Sequence, residues 1–155
     1  MYIKRFENWN ILKIQVEQLQ AKRFFREKEI WWCILGENIG AESCGKNNNF
    51  ERPVLVFKKL SSDTAFVLPL TSVVKGGGYY CTLELNSQLR SVMLHQGRFI
   101  STKRFVRKIE KISDAKFDVI KQAYYTHIGI VKIEDPSLEG SSPVPNGKDN
   151  GIISK

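Results

Sequence analysis

The sequence predicts a mainly β protein with flanking helices, an α+β domain built on a small antiparallel β-barrel. Short segments rich in aromatic and β-branched residues recur between residues 30 and 94, with turn residues between them. Apolar residues at helical spacing lie before and after this stretch. A chain of 155 residues with 42% hydrophobic residues is long enough to bury one core of this kind.

The amino-terminal part predicts an amphipathic helix. Apolar residues follow Trp9 at helical spacing as far as Leu19, with polar residues between them, and the pattern fades at about Arg23. We assign residues 1–28 to a helical extension in front of the barrel. We expect this helix to cover one face of the sheet, and the alternative is that it binds a partner.

The barrel strands follow in order along the chain. Between the first two strands, residues 36–51 are polar and rich in glycine and asparagine, which predicts a long surface loop of the kind that is often functional. A run of three glycines at 76–78 predicts a hairpin connection. The predicted strands are 30–35, 54–59, 65–70, 79–85 and 92–94.

Two helices and a tail complete the prediction. Residues 101–108 predict a short basic helix, and Ser113 is suited to cap a second helix with Phe117 and Ile120 on one face. These helices close a domain that we assign to residues 29–126. Residues 135–155 are rich in serine, glycine and proline and poor in apolar residues, so we expect a disordered tail.

Charge and cysteine content narrow the functional classes. The formal net charge of +8 favours a polyanionic partner, although it also serves simple solubility. The chain has no apolar run of membrane-spanning length and its start lacks the apolar region of a secretory signal, so we expect a cytoplasmic protein. The three cysteines are widely spaced and predict neither a disulfide framework nor a zinc site. We expect Cys33 and Cys81 to be small buried hydrophobic residues.

Residues suited to phosphate chemistry occur where strands begin and end. Cutting RNA without a metal requires the ribose 2′-hydroxyl to attack the adjacent phosphate, and an arginine can hold two oxygens of that phosphate at once. Arg52 directly precedes an apolar strand, and Glu42 lies on the loop before it. Thr71 and Ser72 follow another strand, and their hydroxyls can bind a phosphate oxygen. The alternatives are an ordinary salt-bridge arginine and a turn threonine.

Two further features suit RNA chemistry. Imidazole exchanges protons near neutral pH, so His95 is a candidate acid or base, unless it is only a solvated or hydrogen-bonded side chain. Basic residues interleave with phenylalanines in the second half of the chain, which suits backbone binding and base stacking, although core phenylalanines between solvated charges give the same pattern. These basic residues are Lys58, Lys59, Arg98, Lys103, Arg104, Arg107 and Lys108.

Five motifs occur in a fixed order along most of the chain. They are KEIW at 28–31, GAE at 40–42, RPVLV at 52–56, PLTS at 69–72, and SVMLHQGR at 91–98 with Lys103 and Arg104 shortly after. Five motifs in order are far more specific than any one of them. Over about residues 29–124 the sequence resembles the MazF/PemK family of toxin endoribonucleases.

The resemblance implies a fold, an activity and partners. The fold is the bent antiparallel barrel shared with the CcdB toxins, and the working unit is a homodimer. The activity is cleavage of single-stranded mRNA at short sequences, leaving 2′,3′-cyclic phosphate and 5′-hydroxyl ends and so inhibiting translation and growth. A cognate antitoxin of the MazE/PemI type is expected to occupy the same basic groove. No cofactor and no metal is implied.

The resemblance also assigns roles to residues. Arg52 and Thr71 correspond to the catalytic pair, whereas His95 is a candidate acid or base on the chemistry of imidazole alone. The residues that we assign to substrate binding are Glu42, Ser72, Gln96, Arg98 and Lys58.

Two other functions remain open at this point. One is a non-enzymatic inhibitor of a protein target, such as a topoisomerase, on the same barrel, as in the CcdB toxins. The other is a relative that binds RNA without cutting it, because residues 95–101 depart from the family pattern.

Overall fold

The structure is a computed structural model that describes residues 3–20 and 23–130. The predicted tail at 135–155 lies outside these residues. Helix α1 (Phe6–Gln18) comes first and helix α2 (Asp114–His127) comes last. No helix within the described ranges is long and apolar enough to cross a membrane. The strands between the helices are β1 (Glu29–Ile34), β2 (Glu51–Lys59), β3 (Thr64–Thr71), β4 (Tyr80–Leu85), β5 (Gln88–Met93), β6 (Arg98–Ser101) and β7 (Phe105–Lys111).

The strands form one curled antiparallel sheet in the order β4-β5-β3-β2-β1-β7. Strand β6 lies off this path and pairs with β3. The first half of β3, from Thr64 to Val67, pairs with β6, whereas Leu70 and Thr71 pair with β5. Because β3 turns from one neighbour to another along its length, the sheet curls into a half-barrel. The predicted mainly β fold with flanking helices is confirmed.

The sheet is apolar on both faces. Ile30 and Leu55 are cross-strand partners in one buried cluster, into which α2 inserts Phe117. Their neighbours Trp31 and Val54 are also partners, but they belong to a second cluster. Successive side chains of a strand point to opposite faces, so this alternation places one cluster on each side of the sheet.

The chain between 98 and 111 differs from the prediction. Instead of a basic helix at 101–108, a 3₁₀ turn (Thr102–Arg104) joins β6 to β7. Strand β7 pairs with β1, so its backbone groups are hydrogen-bonded while Arg107 and Lys108 stay exposed and Phe105 is buried. Sheet pairing therefore overrides the helical preference of the basic residues.

The two helices agree with the prediction to different degrees. Ser113 caps α2 as predicted, since its hydroxyl accepts a hydrogen bond from the Lys116 amide at 3.3 Å. Helix α1 ends at Gln18 rather than at about Arg23, because Leu19 takes an extended backbone conformation.

Helix α1 packs on the 36–50 loop rather than across a face of the sheet. The buried Trp9 ring lies against Gly36, where an added Cβ would come within 2.3 Å of the ring. The centroid of the Trp9 ring lies 5.7 Å from the centroid of the Phe50 ring. The Arg104 guanidinium lies 5.4 Å from the centroid of the Trp9 ring. The helix therefore holds the start and the end of the loop together.

The three cysteines are free. Cys33 and Cys81 are buried, as predicted. Burial raises the pKa of Cys33 to about 12 and raises the pKa of Cys81 as well. Both thiols are therefore neutral and behave as small hydrophobic side chains.

Candidate functional site

The loop before β2 is closed by a tight neck. Lys46 and Glu51 form an isolated antiparallel bridge, with mutual backbone hydrogen bonds of 2.8 and 3.1 Å. Gly45 lies so close to Phe50 that an added Cβ would stand 1.7 Å from the Phe50 carbonyl oxygen. Glycine is therefore required at position 45, and the neck places the outer loop, residues 38–44, beside the start of β2.

Arg52 is the second residue of β2, and its guanidinium is held by the protein. Its Nε donates to the Cys44 carbonyl oxygen at 2.7 Å, and its Nη1 donates to the Leu70 carbonyl oxygen at 3.1 Å. The side chain is half-buried, and this burial lowers the pKa of Arg52. An arginine stays charged in a protein nonetheless, so a cation with a set orientation stands at this position.

Thr71 ends β3 next to Arg52. Val54 of β2 pairs with Pro69 of β3, so two residues further along both antiparallel strands Arg52 and Thr71 lie opposite each other. The Thr71 hydroxyl oxygen accepts a hydrogen bond from the Val73 amide at 3.3 Å. That contact leaves the hydroxyl proton available to a ligand.

These residues line a pocket of about 140 Å³, which we call the Arg52 pocket. Arg52, Thr71 and Ser72, all predicted from the sequence, lie together in its wall. Lys46 and Arg90 also line it. The sequence did not point to Lys46 or Arg90 as site residues, so the pocket is more basic than predicted.

Arg90 comes from β5. Its Nη2 donates to the Gln88 side chain at 2.8 Å, and its Nε is buried without a hydrogen-bond partner among the described residues. Ser91 pairs with Thr71, which brings the preceding residue of β5, Arg90, to the pocket. The sequence signal was weak, since Arg90 directly precedes the SVMLHQGR motif and its position depends on the β3–β5 pairing.

The charge balance of the Arg52 pocket is positive. Glu51 is its one acidic lining residue within the described ranges, and this carboxylate is already paired with Arg107 at 3.1 Å. The cations Lys46, Arg52 and Arg90 have no ion-pair partner in the part of the chain that the structure describes. An anion therefore meets uncompensated positive charge here.

A second cavity adjoins the Arg52 pocket along the loop. This loop groove has a volume of about 390 Å³ and is lined by Glu42, Cys44, Lys46 and Arg52, together with residues of the amino-terminal segment. Lys46 and Arg52 line both cavities, so the two adjoin at these residues. Glu42 is exposed at its rim and accepts a hydrogen bond from the Ile39 amide at 3.3 Å.

Gln96 fastens the outer loop to the barrel. Its Oε1 accepts a hydrogen bond from the Ser43 amide at 2.9 Å, and its Nε2 donates to the Ala41 carbonyl oxygen at 3.3 Å. Both ends of the amide are therefore engaged with the loop that carries Glu42. In this structure the residue positions the groove.

A third cavity, the His95 pocket, lies on the other side of Glu42. It measures about 390 Å³ and is lined by Glu42 and residues 95–98, which include Arg98. The His95 ring nitrogen Nδ1 lies 3.2 Å from the Tyr79 carbonyl oxygen, and its ring packs edge-on against Tyr79 and Tyr80. Of the predicted residues, this pocket gathers four, which are Glu42, His95, Gln96 and Arg98.

Lys58 is the predicted site residue that the structure does not bring to these cavities. It lies six residues beyond Arg52 on β2, a distance of about 20 Å in a strand. Its ammonium group pairs with Glu27 at 3.1 Å.

Comparison with known proteins agrees with the fold and the motifs. A family model described as the PemK-like, MazF-like toxin of type II toxin–antitoxin systems matches residues 26–127. No curated relative matches the chain by sequence.

Three solved structures are similar in fold. The toxin MazF-mt6 of Mycobacterium tuberculosis has a TM-score of 0.50 and 18% identity, over 65% of this chain and 96% of that chain. An endoribonuclease from a mycobacterial species, in complex with its cognate antitoxin, has a TM-score of 0.53 and 10% identity, over 70% and 99%. Another mycobacterial endoribonuclease has a TM-score of 0.54 and 9% identity, over 71% and 96%.

The family match covers the whole sheet, the 36–50 loop and α2, and it leaves out α1. It includes the Arg52 pocket with its motif residues Arg52 and Thr71. The resemblance read from the motifs is thus confirmed by an independent comparison. The chain belongs to the family of PemK-like, MazF-like toxins of type II toxin–antitoxin systems.

Proposed function

We propose that this toxin is a sequence-specific, metal-independent endoribonuclease that cleaves single-stranded mRNA. The observation that carries the proposal is the Arg52 guanidinium, oriented by two carbonyl oxygens and lying opposite the Thr71 hydroxyl in a basic pocket. A phosphodiester is an anion that such a planar cation and hydroxyl can bind together. The endoribonuclease structures with the same fold support this choice.

The proposed chemistry is an internal transfer. The ribose 2′-oxygen attacks the adjacent phosphorus and loses its proton, while the bond from phosphorus to the 5′-oxygen breaks and that oxygen gains a proton. The products are a 2′,3′-cyclic phosphate and a 5′-hydroxyl, and no water is consumed. Arg52 and Arg90 stabilise the extra negative charge of the five-coordinate transition state, and the Thr71 hydroxyl orients a phosphate oxygen.

Residues around the Arg52 pocket serve substrate binding and proton transfer in this proposal. Ser72 binds at the scissile phosphate, Glu42 and Arg98 bind the flanking nucleotides, and Gln96 serves substrate binding by holding the loop that carries Glu42. His95 is the candidate proton carrier, and His95→Ala tests it through the pH dependence of cleavage. An unchanged rate and pH profile would exclude that role.

Lys58 can bind substrate only if the RNA is long enough to extend along β2 away from the Arg52 pocket. Lys58→Gln with short and long substrates tests this. An effect confined to long substrates supports contact with distant nucleotides.

The proposed partners follow from the family. A cognate antitoxin of the MazE/PemI type covers the basic cavities, and the toxin works as a homodimer. The structure of a mycobacterial endoribonuclease with its cognate antitoxin supports the first of these. An mRNA substrate puts the activity in the cytoplasm.

The deciding experiment incubates purified protein with a long single-stranded RNA in EDTA and maps the ends. Wild type is compared with Arg52→Ala and with Arg23→Ala as a charge-matched control. We expect discrete cuts with 5′-hydroxyl ends in wild type and in the control, and intact RNA with Arg52→Ala. Cleavage that needs a divalent cation contradicts the metal-independent mechanism. Intact RNA in every sample favours the inhibitor of a protein target or the relative that binds RNA without cutting it.

A further inference from the structure

The segment in front of the family's domain reaches the candidate active site. Lys4 and Arg5 line the loop groove together with Lys46 and Arg52. The family match begins only at residue 26, so these two cations come from outside the shared domain. They extend the positive surface beyond the Arg52 pocket.

Arg5 is held in the groove by the loop itself. Its Nη2 donates to the Asn47 carbonyl oxygen at 2.7 Å, and its Nη1 donates to the Asn48 side-chain oxygen at 3.3 Å. The guanidinium lies 4.6 Å from the centroid of the Phe50 ring, and its Nε is buried without a hydrogen-bond partner among the described residues. The side chain is therefore oriented before any ligand arrives.

Lys4 attaches the segment to the outer loop. Its ammonium donates to the Asn38 carbonyl oxygen at 2.8 Å, lies 3.1 Å from the Cys44 sulfur and pairs with Glu37 at 3.8 Å. Because Glu37 balances this charge, Lys4 acts mainly as an anchor. On the amino-terminal side of the loop groove, the positive charge available to a ligand therefore comes from Arg5.

Lys46 supplies the charge on the other side of the groove. It is exposed and forms no ion pair within the ranges that the structure describes. Among the described residues that line the groove, Glu42 alone is acidic. The groove is thus a basic site lined by Arg5 and Lys46, and at about 390 Å³ it lies in the range of about 300–1,000 Å³ typical of small-ligand sites.

We propose that the loop groove is a second phosphate-binding subsite, in which Arg5 and Lys46 hold the phosphodiester next to the one that is cut. The inference rests on the proposed function. It follows from adjacency, because Lys46, Asn47 and Arg52 line both cavities, so a strand that binds one phosphate at Arg52 can place the next phosphate in the groove. The amino-terminal segment therefore adds binding strength that the family's domain alone lacks.

The test uses full-length Arg5→Gln, Lys46→Gln and the control Lys13→Gln, which removes the same charge from an exposed position on α1. The probe is a labelled 2′-O-methyl oligonucleotide, which cannot be cut. It spans a mapped cleavage site or, where wild type makes no cut, a segment of the RNA that wild type binds. We expect Arg5→Gln and Lys46→Gln each to weaken binding about tenfold, as for loss of a charged hydrogen bond. Each should also lower the salt dependence of log K by about 0.7. Lys13→Gln should bind like wild type.

Two variants are needed because they act differently on the loop. Arg5→Gln also removes two hydrogen bonds, whereas the Lys46 side chain forms none in the described structure, so Lys46→Gln removes charge alone. With cleavable RNA, Arg5→Gln should raise KM for long substrates and have less effect on one trimmed to the scissile dinucleotide. If only Arg5→Gln weakened substrate binding, and did so equally for long and trimmed substrates, the subsite would be overturned. That result would mean that the substitution had disturbed the loop rather than removed a phosphate contact.

The remaining outcomes separate this inference from the proposed function. If wild type cuts RNA and both variants bind like Lys13→Gln, the subsite is overturned and the nuclease stands. If wild type binds RNA without cutting it, the catalytic proposal fails and the affinities still decide the subsite. If wild type does neither, both fail.

Discussion

The Nε of Arg52 donates a hydrogen bond of 2.7 Å to the carbonyl oxygen of Cys44, and so the candidate catalytic cation is tied to the loop that precedes its own strand. With the second bond to Leu70, two of the five N–H groups of the guanidinium serve the protein. The others are available to a phosphate in a geometry set before binding. Donors that are oriented before binding supply much of the transition-state stabilisation in enzymes.

Arg52→Lys should lower kcat for RNA cleavage by about 10²- to 10³-fold, as for loss of a preorganised donor. Lysine keeps the charge but has no planar fork that donates to Cys44, Leu70 and a phosphate together. Single-turnover cleavage measures the effect, with thermal unfolding as a control for folding. A rate near that of wild type would mean that charge alone suffices.

Thr71→Val should lower kcat by about 10²-fold, because valine keeps the shape and removes the hydroxyl that orients the phosphate. Thr71→Ser keeps the hydroxyl and should stay within about tenfold of wild type. Steady-state kinetics of both variants on one RNA measure the difference. Equal rates for the valine and serine variants would remove Thr71 from the mechanism.

Gln96→Leu should loosen the outer loop and raise KM, because both hydrogen bonds of the amide to the loop are lost. Gln96→Glu should have a smaller effect, since a carboxylate still accepts from the Ser43 amide. Hydrogen exchange of that amide reports the loop directly and should quicken more with leucine. A raised KM without faster exchange would instead indicate that Gln96 contacts the RNA.

Cysteine alkylation should distinguish the groove from the core. Because the pKa of Cys33 is raised to about 12, it carries no reactive thiolate at mildly alkaline pH, and iodoacetamide should label it only after unfolding. Cys44 is half-buried in the loop groove and should be labelled in the native protein. A bound 2′-O-methyl oligonucleotide should protect Cys44, as read by mass spectrometry. Native labelling of Cys33 at the rate of Cys44 would contradict the structure.

Gly36→Ala should destabilise the protein by about 1–3 kcal/mol, because the new methyl group collides with the Trp9 ring at a backbone φ of +86°. Gly40→Ala is the matched control, with a φ of +55° and nothing within 4 Å. It should cost only the backbone strain of about 1 kcal/mol. Urea unfolding measures both, and equal losses would show that the Trp9 contact is not important.

Much of the fold could be predicted from local sequence patterns. Strands β1 to β5 carry aromatic and β-branched residues, and Ser113 is the N-cap that marks the start of α2. Strands β6 and β7 were not predicted, because their basic residues favour helix and only pairing with β3 and β1 makes them strands. Propensity yields to tertiary context in such segments.

The site was legible where motifs carried it. Arg52 and Thr71 were predicted from their positions at the ends of strands and from the family resemblance, and the structure brings them to one pocket. Arg90 and Arg5 were not found, because Arg90 depends on the pairing of β5 with β3 and Arg5 lies outside the motifs. When a residue reaches a site from another strand or from an extension, the spacing of residues along the sequence does not reveal it.

The closed neck at Gly45 has a consequence for anyone who wishes to retarget the protein. Substitutions at Gly45 and Phe50 disturb the join that positions Arg52, so libraries at these two positions would mostly return unfolded or inactive variants. Ile39 and Gly40 stand outside the neck, where Ile39 is 76% exposed and Gly40 has open space around it. Diversity introduced at these two positions can alter what the rim contacts while leaving the machinery beneath it intact.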